Sequence, residues 1–249
     1  MEILLFLGTG LVAGVASGFF GIGGGLVVVP LCMLLGEGVK SAIALSTMQM
    51  VFSSIYGSFI NAKDRLFEPI EYVPLGIGGI LGASCGAYLL SIVSAHAAAL
   101  LFFSILVLTF FKTIASKAEG EIGAKTPPRW ILFIFGFCTA SYAGLVGVGG
   151  GFIIVVFLNG FFGIHIKSAV SISLFFVLFV GSSAFATYSF MGFIDYYKGG
   201  ALAIGALLGV RFGIGLARKT TPIFHKRAII FAYLLMMALT AYKIARGEI

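Results

Sequence analysis

The chain has 249 residues, of which 60% are hydrophobic and only 10% charged, with a formal net charge of +7. A water-soluble fold of this size cannot hide so much apolar surface, so a soluble enzyme, a nucleic-acid-binding domain and a disordered chain are excluded. Glycine accounts for 35 residues without a collagen period; with the apolar content this indicates a polytopic helical membrane protein whose helices pack closely.

The first apolar run, residues 3–36, has no basic residue ahead of it, only Glu2, and outruns the apolar region of a signal peptide. Its 34 residues would make a helix of roughly 50 Å, too long for one membrane span and short for two. Gly18, Gly21, Gly23, Gly24 and Gly25 interrupt it. Glycine clusters break helices, so the run is predicted to form two shorter helices meeting at a glycine tip, a broken or re-entrant hairpin. Spans are then predicted near 41–62, 72–92 and 96–112, with a break near 91–96. After a polar connector, the run 130–164 repeats the first pattern, with Gly144, Gly147, Gly149, Gly150 and Gly151. Further spans are predicted near 168–192, 198–217 and 227–244. Cys32, Cys85 and Cys138 sit inside apolar runs and are odd in number, so they read as packing residues rather than a disulfide framework.

The two halves are copies of one another. Residues 17–29 (SGFFGIGGGLVVV) align with 143–155 (AGLVGVGGGFIIV) at an offset of 126. Residues 39–46 (VKSAIALS) align with 166–173 (IKSAVSIS) at 127, and the glycine pattern from Gly78 to Gly86 recurs from Gly205 to Gly213 at the same offset. The domain division is therefore 1–118 as the first membrane repeat, 119–129 as a polar connector and 130–249 as the second.

Charge bears on their relative direction. The loop 92–96 has no Lys or Arg, whereas its counterpart 218–227 has Arg218, Lys219, Lys226 and Arg227. Basic residues collect in cytoplasmic loops, so equivalent loops of opposite bias lie on opposite sides. If each hairpin returns to its own side, three further crossings per half invert the second repeat. Eleven basic residues, in 63–65, 112–129, at Lys167 and in 218–227, then share the cytoplasmic side, against Lys40, Lys198, Lys243 and Arg246 outside. The expected fold is all-α and integral to the membrane: two inverted repeats, each a broken or re-entrant Gly-rich hairpin plus three transmembrane helices. The expected location is the plasma membrane, with both termini outside.

Inverted repeats with paired broken helices are the architecture of secondary transporters. A helix starting just after Gly-Gly-Gly presents unpaired N–H groups and the positive end of its dipole, which suits an anion. Candidate substrate-binding residues are therefore Gly21, Gly23, Gly24 and Gly25 with Gly147, Gly149, Gly150 and Gly151. The following spans add Ser46, Thr47 and Gln49 in one half and Ser171 and Ser173 in the other; Ser46 and Ser173 are repeat mates. Glycines that only allow close helix packing, and serines bonded one turn back along their own helix, are the alternative reading. Arg211 is the lone charge inside a span, either an anion partner or a side chain reaching for the nearby interface. The acidic residues lie in loops or at span ends, which leaves no carboxylate for a proton relay or a sodium cage. No histidine has a metal-ligand companion, no Walker motif is present and no nucleophile–base constellation is found, so no metal, no cofactor and no enzyme activity are expected.

The paired motif, Gly21-Ile-Gly-Gly-Gly25 and Gly147-Val-Gly-Gly-Gly151, resembles the TauE/SafE family of sulfite and organosulfonate exporters. So do the basic entries to the following spans, Lys40-Ser-Ala-Ile-Ala-Leu-Ser-Thr47 and Lys167-Ser-Ala-Val-Ser-Ile-Ser173. The resemblance covers nearly the whole chain and implies a permease for small sulfur-containing anions. The first half carries Ser84 where the second has Arg211, which argues against a symmetric two-arginine site. The expected function is export of such an anion by alternating access, with an anion channel or a non-transporting scaffold subunit as alternatives. Expected partners are the small anion, the lipid bilayer and, as an option, a second copy of the chain, but no nucleic acid.

Overall fold

The computed structural model describes residues 2–21, 23–62, 67–115 and 126–245. Among these every regular element is helical. The first half comprises α1 (Glu2–Phe20), α2 (Gly25–Leu34), α3 (Val39–Ala62), a short 3₁₀ turn Pro69–Tyr72, α4 (Val73–Ile92) and α5 (Ala95–Ala115). The second repeats the order as α6 (Arg129–Val146), α7 (Gly151–Phe162), α8 (Ile166–Phe190), α9 (Tyr196–Lys219) and α10 (Pro222–Ala245). Six of the segments, covering α1, α3, α4, α6, α8 and α9, are long and apolar enough to cross a membrane. The 10 residues of α2 and 12 of α7 are too short, at about 15 and 18 Å against a hydrocarbon core of roughly 30 Å.

Local chemistry sets the helix boundaries. Pro69, Pro74 and Pro222 stand at or near helix starts and Pro128 immediately precedes α6, where a missing N–H costs nothing. The Asp195 side chain caps α9 by accepting from the backbone N–H groups of Tyr197 and Lys198 at 3.0 and 3.2 Å. His165 Nδ1 accepts the N–H of Lys167 at the start of α8. The starts of α2 and α7 differ: their N-cap residues Gly24 and Gly150 are left-handed, with φ of 85° and 67°, and neither provides a side-chain cap.

Contacts at the helix ends establish direction. Lys198 Nζ, at the start of α9, pairs with Glu2 at 3.1 Å and Glu37 at 2.6 Å. It thus joins the beginning of α1 to the loop after α2, and the first glycine hairpin returns to the end it started from. Lys40 Nζ donates to the carbonyl of Ser91, bringing the end of α4 to the same place. At the opposite end Thr126 donates to Glu71 at 2.5 Å, Lys167 Nζ to the carbonyl of Arg218 at 3.1 Å and Lys226 Nζ to that of Ile114 at 2.9 Å. The chain segment entering α6, the start of α8 and the end of α9 therefore gather there.

Each half lends its opening helix to the other. Helix α1 packs along α9 and α6 along α4. A Cβ added at Gly205, Gly209 or Gly213 would strike the carbonyl oxygens of Leu7, Leu11 and Val15; at Gly78, Gly82 or Gly86 it would strike those of Phe133, Phe137 and Ser141. This repeated spacing of four lets the backbones touch, the close packing that holds helices together where lipid competes equally for apolar surface. Helices α3 and α8 cross in the middle, between these pairs.

Candidate functional site

The glycine tips lie against the middle of α3 and α8. Positive φ at Gly21, Gly23 and Gly24 (73°, 75° and 85°) and at Gly147, Gly149 and Gly150 (73°, 72° and 67°) turns each chain back on itself. Side chains other than glycine rarely adopt this conformation. The tips touch: a Cβ on Gly25 would collide with the carbonyl oxygen of Gly147. Helices α2 and α7 start there and run to opposite ends, so the positive ends of their dipoles face a common centre.

Two repeat mates fill that centre. A Cβ on Gly23 would come within 2.5 Å of Val177 Cγ1 and 3.4 Å of Met50 Sδ; one on Gly149 would meet Met50 Sδ at 2.7 Å and Val177 Cγ1 at 3.2 Å. Met50 and Val177 are 127 residues apart, in the repeat register, and both are buried. They escape notice in the sequence because an apolar residue in an apolar helix carries no signal; only the repeat register singles them out.

Ser46 and Ser173 act as mates. Ser46 Oγ shares its proton between the carbonyls of Ile43, at 2.6 Å on its own helix, and Gly147, at 2.7 Å on the second tip. Ser173 Oγ does the same with Val170 and with Gly21 on the first tip, both at 2.7 Å. Thr47 and Ser171 donate only within their own helices, to the carbonyls of Ala44 and Lys167 at 2.7 and 3.0 Å. Ser53 Oγ, also on α3, reaches the carbonyl of Gly23 and receives a bond from Ser17, both at 3.3 Å.

Gln49 has a different environment. It is fully buried, and neither Nε2 nor Oε1 has a hydrogen-bond partner. It faces the start of α2, where a Cβ on Gly24 would lie 2.7 Å from both amide atoms. Its repeat mate is Phe176, which packs near Gly150 beside Thr139 and Ala143. One tip therefore adjoins an unpaired amide and the other an aromatic ring and methyl groups.

The structure does not bring Arg211 to this centre. It lies exposed on α9 in a separate groove with Tyr56 and Lys219. Of the candidate residues the centre gathers the glycines, Ser46, Gln49 and Ser173; Thr47 and Ser171 lie on the same two helices without touching the tips through their hydroxyls. Among the described residues no three His, Cys, Asp or Glu side chains come together as a metal site.

The chain is 23% identical over 246 residues to the probable membrane transporter protein YunE of Bacillus subtilis, across 88% of this chain and 90% of that one. It is 27% identical over 228 residues to a probable membrane transporter protein of Haemophilus influenzae, across 84% and 83%. No solved structure matches it. The family model described as Sulfite exporter TauE/SafE matches residues 6–241, so the chain belongs to the TauE/SafE family of membrane transporters and is not an enzyme.

Proposed function

We propose that the chain is a secondary transporter that exports a small sulfur-containing anion, of the sulfite or organosulfonate kind, across the plasma membrane by alternating access. The observation that carries this reading is Gln49. A buried amide without partners costs about 1–3 kcal/mol, and this one lies beside a helix start that itself has no side-chain cap. A bound oxyanion supplies acceptors for the N–H groups of the first turn of α2 and for Gln49 Nε2. The glycines at 21, 23–25, 147 and 149–151 let an anion approach the backbone directly. Ser46 and Ser173 hold the two tips in register.

The end-to-end contacts support two halves inserted in opposite directions, the arrangement in which rocking of one repeat against the other exposes a central site to each side in turn. Burial of Ser46, Gln49, Met50 and Ser173 favours an occluded carrier over an open channel. We place the end bearing Arg218, Lys219 and Lys226 in the cytoplasm and both termini outside, following the basic-residue bias. A negative interior then drives the anion outward.

The test is thermal-shift titration of the purified protein with sulfite, sulfoacetate, taurine and chloride, followed by flux into proteoliposomes. A ligand that binds only the folded state raises the melting temperature. A selective shift with a sulfur oxyanion, lost in Gln49→Met, supports the reading. The absence of any anion-dependent shift in well-folded protein overturns it.

A further inference from the structure

The groove around Arg211 is separate from the tips. Tyr56 on α3 and Arg211, Phe212, Gly215, Leu216 and Lys219 on α9 line an open trough of about 730 Å³ on the outer face of the bundle. Arg211, Gly215 and Lys219 are four residues apart in sequence and so share one helix face. Gly215 lies between the two cations, and a Cβ there would meet nothing within 4 Å. Its neighbours Gly205, Gly209 and Gly213 are pressed against the α1 backbone; helix packing explains them but not Gly215. Arg211 and Lys219 have no carboxylate partner among the described residues, where both ion pairs belong to Lys198. Phe212 and Leu216 are exposed beside them, at 70% and 49%.

The repeat supplies an internal comparison. The equivalent groove between α4 and α8 includes Ser84 and Ser183, the mates of Arg211 and Tyr56. There the two hydroxyls bond to each other at 2.7 Å and Ser183 also donates to the carbonyl of Ile80. That groove is neutral and internally satisfied. Only the one at the basic end of the bundle carries unpaired cations.

We propose that the Arg211–Lys219 groove is a binding site for an anionic phospholipid, its phosphate held by the two cations over Gly215 and its acyl chains lying along Phe212 and Leu216. An apolar wall next to a charged trough on a membrane-facing helix fits a lipid better than a free anion, since a free anion gains nothing from the wall. Lys and Arg near an anionic membrane surface attract such lipids, and Lys219 stands at the end of its span.

The test is native mass spectrometry of the full chain released from mixed phosphatidylglycerol and phosphatidylcholine micelles, counting retained lipids of each kind. The wild type is expected to retain phosphatidylglycerol preferentially. Arg211→Gln with Lys219→Gln should lower that preference about tenfold, and Gly215→Leu should lower it without changing charge. Lys40→Gln, a charge removed at the other end, should leave it intact. All of these positions except Lys40 face outward from α9, and size-exclusion profiles report whether each variant folds. Equal retention of both lipids, or a preference unchanged in the double variant, overturns the proposal. So does binding of glycerol 3-phosphate as tight as that of the lipid, or a cross-linked second copy of the chain that Gly215→Leu abolishes. A sulfite-induced shift lost in Arg211→Gln with lipid retention unchanged would assign the arginine to the transported anion instead; a failure of the sulfite site alone leaves the lipid result standing.

Discussion

Ser46 and Ser173, 127 residues apart in the chain, each donate to the glycine tip of the opposite half: Ser46 to the carbonyl of Gly147 and Ser173 to that of Gly21, both at 2.7 Å. Each tip therefore takes a bond from the repeat that does not contain it. Helix α1 on α9 and α6 on α4 follow the same rule. The crossed bonds tie the tips to the two helices that meet at the centre, α3 and α8.

Ser46→Ala and Ser173→Ala should each destabilise the protein. Each leaves a buried tip carbonyl short of its partner, at a cost of about 1 kcal/mol. For a chain of this length that is roughly 2–4 °C in melting temperature. The two losses should not add, because both bonds hold the same pair of touching tips. Melting of the two single variants and the double variant in detergent checks this, and unchanged values in both singles would remove the crossed bonds from the account.

Gln49→Met should have the opposite sign. It replaces an unpaired buried amide with an apolar chain of similar shape, so the ligand-free protein should gain about 1 kcal/mol or more in stability. The same variant should lose the sulfite-dependent shift. A ligand-free variant less stable than wild type would show that the amide has a structural partner and is not held idle for a ligand.

Glycine positions should divide sharply by what surrounds them. Gly25→Ala drives a Cβ into the backbone carbonyl of Gly147, and Gly24→Ala adds a positive φ to a clash with Gln49; backbone cannot yield as a side chain can. Both should reduce the yield of monodisperse protein severely. Gly200→Ala, inside α9 with open space around it, should be neutral or stabilising by about 0.5–1 kcal/mol. Fluorescence-detected size-exclusion chromatography of the three variants is enough to decide.

Stability should fall with acid in two separable steps. Burial alone would raise the Glu37 carboxyl, but hydrogen bonds from Lys198 and Ser41 outweigh it and hold the group below its ordinary value. Its contribution is full above about pH 4.3, the unfolded value, and is lost as pH falls through the lower folded value. His165 is held below its ordinary value by burial and then by Lys167, and only its neutral ring can accept the Lys167 N–H. Protonation therefore begins to cost stability below about pH 6.5. In a melting series from pH 3 to 8, His165→Gln should flatten the upper step and Glu37→Gln the lower one. A profile that neither change alters would refute both assignments.

The sequence by itself determined the helical membrane fold, the duplication and the two glycine breaks. Composition, span length and repeat register are local quantities, and lipid enforces them strongly because an unpaired backbone group has no water to turn to. The predicted spans lie within a few residues of α3–α5 and α8–α10, and α2 and α7 begin at Gly25 and Gly151, one residue before the starts expected near Leu26 and Phe152. What only the tertiary structure decided is which end each hairpin returns to, that the tips touch, and which polar residues are already satisfied. Lys198 reaching both Glu2 and Glu37 shows the return, and no run of apolar residues could. Ser46, Thr47, Gln49, Ser171 and Ser173 look alike as polar residues in apolar helices. Packing then separates them: Thr47 and Ser171 bond back along their own helices, Ser46 and Ser173 cross to the far tip, and Gln49 is left unpaired against Gly24. Arg211 faced the same ambiguity, and the side of α9 on which it falls put it in an outward groove. A hydrogen-bond partner distant in sequence exists only once the chain is folded, so the roles of these residues could not be read before the helices were in place.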